Sequence, residues 1–320
     1  MSEITNLIRT IGLTTKLPCG RNWYQNGEID FDLNDEVSIY PMSHSDEMLI
    51  HNVDALFSNT AISKIIQSCV PNIKKVNEIL SPDVEILLLA IRIASFGDIF
   101  KGFDVCPKCL EKYNNEKDET KRQELVDQKI INIEPQQFGF DARRCLDTFE
   151  PLKDNYMLSF KDNTIFVHLK PIMLCELSKF DIIDFETKQA IKRFITDNNS
   201  NLDITKAEMF SNLDQWKETK EKNEEFNKLL IKLDNLSVDS VISSVKSFII
   251  NGKEYTSYED KKEFLDNIPS NWFEEIRNLS NKINGSHIDK RYACVCNTCG
   301  HEWFSDNMPV NPSDFFGSGS

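Results

Sequence analysis

Two Cys-x-x-Cys pairs limit what this chain can fold into more than any other feature. They are Cys106-Pro107-Lys108-Cys109 and Cys296-Asn297-Thr298-Cys299, the second followed by Gly300 and His301. Each pair resembles half of a zinc ribbon, and Gly300 supplies the turn that lets backbone amides face a thiolate. Four thiolates in a tetrahedral array close a structural zinc site and leave no position for water. An ordinary ribbon has about 15–20 residues between its halves. Here 186 residues (110–295) lie between Cys109 and Cys296. Loop closure grows as (3/2)RT ln n, so this separation costs only about 2 kcal/mol more than a loop of about 15 residues. Structural zinc contributes roughly 10–16 kcal/mol of apparent free energy in peptides. One zinc per chain, held by Cys106, Cys109, Cys296 and Cys299, is therefore the leading reading. Unmetallated thiols and a redox pair are the alternatives, the latter disfavoured because neither pair opens a helix in a visible βαβ unit. Cys294 and His301 are substitute ligands on offer. Cys294, two residues from Cys296, is cramped for a knuckle and reads as a spare thiol.

Thiolate ligands presuppose a reducing compartment, and the composition agrees. The stretch MSEITNLIRTIGLTTKL lacks the basic start, apolar run and small-residue cleavage site of an export signal. The longest apolar run, Ile86–Ile91, stops at Arg92, well short of the roughly 20 residues of a membrane span. A soluble protein follows as the expectation, with its nine cysteines as thiols or metal ligands rather than disulfides. Cys19, Cys69, Cys145 and Cys175 stand alone and read as ordinary buried or half-buried thiols. Acidic residues number 51 against 37 basic ones, a net charge of −14 whose field repels polyanions and argues against a nucleic-acid partner. Eleven glycines in 320 residues favour helix over repeat-built β architecture.

Local patterns predict an α+β fold, predominantly helical with short β-hairpins, in which the two knuckles join distant parts of the chain. Leu17-Pro18-Cys19-Gly20 is a turn signal. Ile29, Phe31 and Leu33 alternate, as do Val37 and Ile39, which predicts a hairpin across Asn34-Asp35. Pro41 and Met42 close it, Ser45-Asp46-Glu47 starts a helix, and residues 46–80 read as helical. Ser81-Pro82-Asp83 offers an N-cap, a first-turn proline and an acid to a helix that is apolar on most faces and ends at Gly97. Residues 111–129 are highly charged and read as a solvated insertion. Tyr156–Phe160 and Thr164–Leu169 flank the turn Lys161-Asp162-Asn163, and Asn251-Gly252 predicts a second hairpin between Phe248–Ile250 and Tyr255. From Leu174 to Leu236 the chain reads as several helices, the clearest carrying Leu213, Trp216, Phe226, Leu229, Leu230 and Leu233. The expected division is residues 1–110 (hairpin, core helix and first knuckle), 111–150 (charged insertion), 151–285 (hairpin and helices) and 286–320 (second knuckle and tail).

Catalytic signatures are absent: there is no GxSxG, HExxH, Walker loop or GxGxxG. His44, His51, His168, His287 and His301 lie far apart, and His168 in its predicted strand reads as a core or edge residue. The expectation is a protein that is not an enzyme and has no small-molecule substrate.

A series of landmarks runs in order along nearly the whole chain. Leu17-Pro18 precedes the aromatics Trp23-Tyr24, and Pro41-Met42-Ser43 leads into Asp46-Glu47. Arg92 to Gly97 runs towards the Cys106–Cys109 knuckle, and Leu169 and Pro171 end a strand. The series closes on Cys296 to His301 and on Asn311-Pro312-Ser313-Asp314-Phe315-Phe316. In this order the landmarks resemble the baseplate hub, or central spike, proteins of T-even-type contractile-tailed bacteriophages. Two departures stand out: Cys19-Gly20-Arg21 replaces the usual Ser-Arg/Lys-Gly, and the stretch after Cys109 is longer. The resemblance implies a virion structural or assembly protein without enzymatic activity. Its place would be the tail baseplate, assembled in the host bacterial cytoplasm, and its partners other baseplate, hub or tail-tube proteins. An assembly factor absent from the mature virion is the alternative. A zinc-ribbon nucleic-acid binder would need a basic face, which Arg143-Arg144 and scattered lysines do not make. The segment Met308–Phe316, with two prolines and two adjacent aromatics, is expected to fold back on its own chain or to dock on a neighbour, with a disordered tail as the third alternative.

Overall fold

The computed structural model describes residues 9–50, 60–198 and 224–305. Strand β1 (Leu13–Lys16) pairs antiparallel with β2 (Glu36–Ile39), Leu13 opposite Ile39 and Lys16 opposite Glu36. This corrects the hairpin predicted across Asn34-Asp35. Ile29 instead bridges Ile73, and Leu33 points into solvent. Alternation marks which side chains face a core; it does not choose the partner strand. The reversal at 32–36 is local: the Asp32 carboxylate accepts the amides of Asn34 and Glu36, and Asp35 adopts φ 61°.

The helix predicted over 46–80 is also broken. Helix α1 (His44–Ile50) and helix α2 (Thr60–Cys69) are followed by Val70-Pro71 and a single 3-10 turn at Val76–Glu78. Proline has no N–H to donate and cannot prolong α2. Ser43 rather than Ser45 caps α1: the Asp46 amide donates to Ser43 Oγ at 3.3 Å while the Ser43 amide donates to Asp46 Oδ2 at 2.8 Å. That reciprocal pair is a capping box.

Helix α3 (Ser81–Phe96) is the apolar helix foreseen, with Leu87, Leu89, Ala90 and Ile91 fully buried. Ser81 does not cap it; its hydroxyl donates to Asn284 Oδ1 at 2.9 Å, and Leu80 occupies the cap position. Gly97, at φ 89°, ends the helix by returning its amide to the Ile93 carbonyl. β1 lies hard against α3, because a Cβ on Gly12 would meet the Ala94 methyl at 2.8 Å.

A buried carboxylate locks the Leu17-Pro18 turn to the start of α3. Asp83 is fully buried and accepts the Cys19 amide at 2.9 Å and the Tyr24 hydroxyl, which itself accepts the Leu80 amide at 3.0 Å. Burial pushes its pKa up to about 6, against the partial relief of the Tyr24 and Cys19 hydrogen bonds. A carboxyl whose folded pKa exceeds its unfolded value binds its proton more tightly in the native state. Stability is therefore lost as pH rises from about 4 to about 6, by about 3 kcal/mol for a two-unit shift. Asp83→Asn cannot titrate, so denaturant unfolding of the two proteins should diverge with pH across this window. A constant difference between them would exclude Asp83 as the source.

Strand β3 (Ile99–Asp104) pairs antiparallel with β4 (Gln136–Asp141), an arrangement the sequence reading missed. Between them stand α4 (Pro107–Asn115) and α5 (Glu119–Asp127), largely exposed and highly charged, as expected of residues 111–129. Helix α6 (Arg143–Thr148) then returns Cys145 and Leu146 to the core.

A four-stranded antiparallel sheet of order β5-β6-β7-β8 unites both foreseen hairpins. It comprises β5 (Tyr156–Phe160), β6 (Ile165–Leu169), β7 (Val245–Ile250) and β8 (Lys253–Tyr255). Asn251 and Gly252 take φ of 52° and 80°, both positive as a type I′ turn requires. Helices α7 (Leu174–Asn198) and α8 (Glu224–Ser244) pack together between β6 and β7, α8 running past the expected end at Leu236. Leu213 and Trp216 lie outside the described residues, as do His51 and the segment Met308–Phe316. Helices α9 (Tyr258–Asn267) and α10 (Ser270–Asn284) follow, and the antiparallel hairpin β9 (Tyr292–Val295) and β10 (Glu302–Ser305) carries the second knuckle. The described residues thus form an α+β fold with small antiparallel sheets, and one cluster of buried side chains runs from Leu13 to Cys294.

Candidate metal centre

Both knuckles sit at hairpin ends. Asp104 closes β3, and Cys106 stands at the N-cap of α4, with Pro107 preset for the first turn. The first pair therefore opens a helix. The flanking strands β3 and β4 are antiparallel, so the unit is not βαβ. The second pair occupies the turn between β9 and β10. There the Cys296 amide donates to the His301 carbonyl and the Gly300 amide to the Cys296 carbonyl, each at 2.9 Å. Gly300 adopts φ 68°, and the Cys299 amide points at Cys296 Sγ, 3.5 Å away.

The four sulfurs converge. Cys106 Sγ lies 3.7 Å from Cys299 Sγ, Cys109 Sγ lies 3.8 Å from Cys296 Sγ, and all four fall within 4.8 Å of one another. A tetrahedron with Zn–S bonds of about 2.3 Å has edges of about 3.8 Å. The separations are far beyond the roughly 2.05 Å of a disulfide. Such a set could hold one tetrahedrally coordinated metal ion. Ile131 is buried beside the sulfurs, with Tyr113, Leu125, Val126 and Trp303 packed around them.

Docking of the two hairpins places the half-sites together. Trp303 meets Phe138 edge-on at 5.4 Å, and Tyr292 meets Phe140 at 6.0 Å. Gly102 makes room for Tyr292, whose hydroxyl oxygen would lie 2.7 Å from any Cβ there. Trp303 Nε1 donates to Asp104 Oδ2 at 3.1 Å, and Gln136 reaches across to the second knuckle.

The electrostatics are uneven across the set. Burial raises the Cys106 thiol, and burial together with the neighbouring sulfurs pushes Cys109 up to about 12. Burial also opposes the Cys296 thiolate, but the Cys299 amide, the Gln136 carboxamide and the Thr298 amide outweigh it and bring that thiol down to about 6. The donors gathered around Cys296 thus favour its thiolate form.

All four cysteines singled out in the sequence are brought together here. Cys294 is buried in the main core with its thiol towards the Tyr292 carbonyl at 3.8 Å, and the His301 ring stacks on Trp303 at 6.1 Å, so neither joins the sulfur set. Cys19, Cys69 and Cys145 are buried and Cys175 half-buried. His168, in β6, faces Asn155 at 3.5 Å, and His287 lies against the Ile283 carbonyl at 3.0 Å. Sequence reasoning missed Gly102, Asp104, Gln136 and Trp303. Trp303, two residues after His301 in a short strand, was the only one with a readable signal.

Residues 14–209 match the model of the family described as T4 bacteriophage base plate protein. The match takes in the first knuckle and ends before the second. Neither the curated proteins nor the solved structures contain a match to the chain.

Proposed function

We propose that this chain, which belongs to the T4 bacteriophage base plate protein family, is a structural subunit of the baseplate hub that docks on neighbouring tail proteins and performs no catalysis. Family membership supports the structural baseplate role and a location in the virion tail. Within that role, one zinc ion on Cys106, Cys109, Cys296 and Cys299 ties the two docked hairpins. The observation that carries the zinc reading is the pair of sulfur separations, 3.7 and 3.8 Å, which match the edge of a zinc tetrathiolate. With thiolate at every corner the ion has no site for water to be activated, so its work is mechanical. No helix among the described residues is long and apolar enough to cross a membrane. The partners are other baseplate, hub or tail-tube proteins, met during assembly in the host cytoplasm.

Purified phage particles provide the test. Mass spectrometry should find peptides of this chain at near-stoichiometric levels relative to other baseplate proteins, and a single-particle map should place it at the hub. Peptides missing from mature particles that nonetheless need the chain for tail assembly would identify an assembly factor instead.

A further inference from the structure

We infer that Gln136 is an outer-shell residue of the metal centre, holding Cys296 in place for the ion through an N–H···S hydrogen bond that crosses from one half-site to the other. The inference rests on the reading of the four cysteines as a metal centre. Gln136 opens β4, paired with Asp104, the last residue of β3. It is 7% exposed, and both ends of its carboxamide are engaged. Nε2 donates to Cys296 Sγ at 3.5 Å, and Oε1 accepts the Asn297 amide at 3.0 Å.

These two partners are consecutive residues of the second knuckle, so one planar amide sets the sulfur and the following peptide together. The opposite flip would face an N–H against an N–H and a carbonyl oxygen against sulfur, which fixes the orientation chemically. The other N–H groups near Cys296 Sγ, from Thr298 and Cys299, belong to the knuckle's own turn. Gln136 comes from the hairpin that carries Cys106 and Cys109. Its ladder partner Asp104 receives Trp303 Nε1 from β10 at 3.1 Å. A single terminal ladder pair therefore grips the second hairpin at two points, one of them a ligand atom. A neutral amide donor suits this place: it stabilises charge on sulfur without adding a cation, whereas a carboxylate would repel it. Outer-shell groups of this kind orient ligands and tune metal affinity.

The experiment uses the full-length protein loaded with zinc in competition with a chromophoric chelator, and then with Co(II). Gln136→Ala should weaken zinc binding about 10- to 100-fold with all four cysteines intact. Gln136→Glu keeps an oxygen that accepts the Asn297 amide and puts a repelling carboxylate oxygen in place of the donor to sulfur. It should weaken binding at least as much, and both variants should shift the thiolate-to-cobalt charge-transfer band. A merely structural glutamine would lower the unfolding midpoint in the alanine variant and leave the band of the glutamate variant unchanged. Wild-type affinity and an unshifted band in both variants would overturn the role of Gln136. A wild-type protein that takes up neither ion would instead overturn the metal centre on which it rests.

Discussion

Cys299→Ser, dialysed against a chelator, should retain almost no zinc while the wild-type protein retains one ion per chain. Serine offers a poorly acidic oxygen in place of a thiolate, so one corner of the tetrahedron is lost. Because the ion's binding free energy is also folding free energy, roughly 10–16 kcal/mol in peptide sites, no other single change should affect its neighbourhood as much. The damage should be regional. Among the described residues the buried set around the sulfurs is Cys106, Cys109, Ile131 and Cys296, whereas α3 lies in the separate, larger core. Amides of α4, β9 and β10 should lose hydrogen-exchange protection, those of α3 should keep it, and solubility should fall. Cys294→Ser removes a buried thiol outside the sulfur set and should leave the metal content unchanged. Elemental analysis decides the matter: folded wild-type protein without metal, or full retention in Cys299→Ser, would reject the site.

Asp46→Ala should destabilise the folded chain by about 3–5 kcal/mol, as expected when one member of a buried ion pair is removed. Asp46 accepts from Ser43 N at 2.8 Å, Ser43 Oγ at 2.7 Å, Ser68 Oγ at 3.1 Å and Arg9 Nη2 at 3.2 Å. The side chains of Arg9 and Asp46 are only 13% and 8% exposed. Alanine would remove the α1 capping box and leave the Arg9 charge without its counter-ion. Glu78→Ala is the comparison, since the Lys75–Glu78 pair is 3.2 Å apart but more than 40% exposed on both sides. Exposed pairs contribute about 1 kcal/mol or less. Urea unfolding of the two variants should therefore separate clearly in midpoint; equal losses would show that the Arg9–Asp46 contact carries no special weight.

Sequence patterns spoke clearly wherever the chemistry was local. Asn251-Gly252 announced its hairpin because few residues tolerate two successive positive φ angles, and the apolar run of α3 announced a buried helix because no polar face was left for water. Pro71 marked the end of α2 just as plainly, yet the periodic residues on either side concealed it. Ser81 shows the opposite failure. It has the chemistry of an N-cap, but a hydrogen bond to Asn284, more than two hundred positions away, decided its role.

The amino-acid sequence by itself determined the four cysteines of the sulfur set, the turn at Gly300, the two tight hairpins and the apolar core helix. Each depends on residue type and short spacing alone. The tertiary structure decided which strands pair and what surrounds the sulfurs. β1 took β2 rather than the alternating residues 29–33, and β3 took β4 across two charged helices. Gln136 and Asp104 are ordinary polar residues in sequence. They acquired a role because the β3–β4 and β9–β10 hairpins, far apart along the chain, dock through Gly102, Phe138, Tyr292 and Trp303. A cysteine carries its chemistry wherever it lies, whereas a hydrogen-bonding amide matters only through what the fold places beside it.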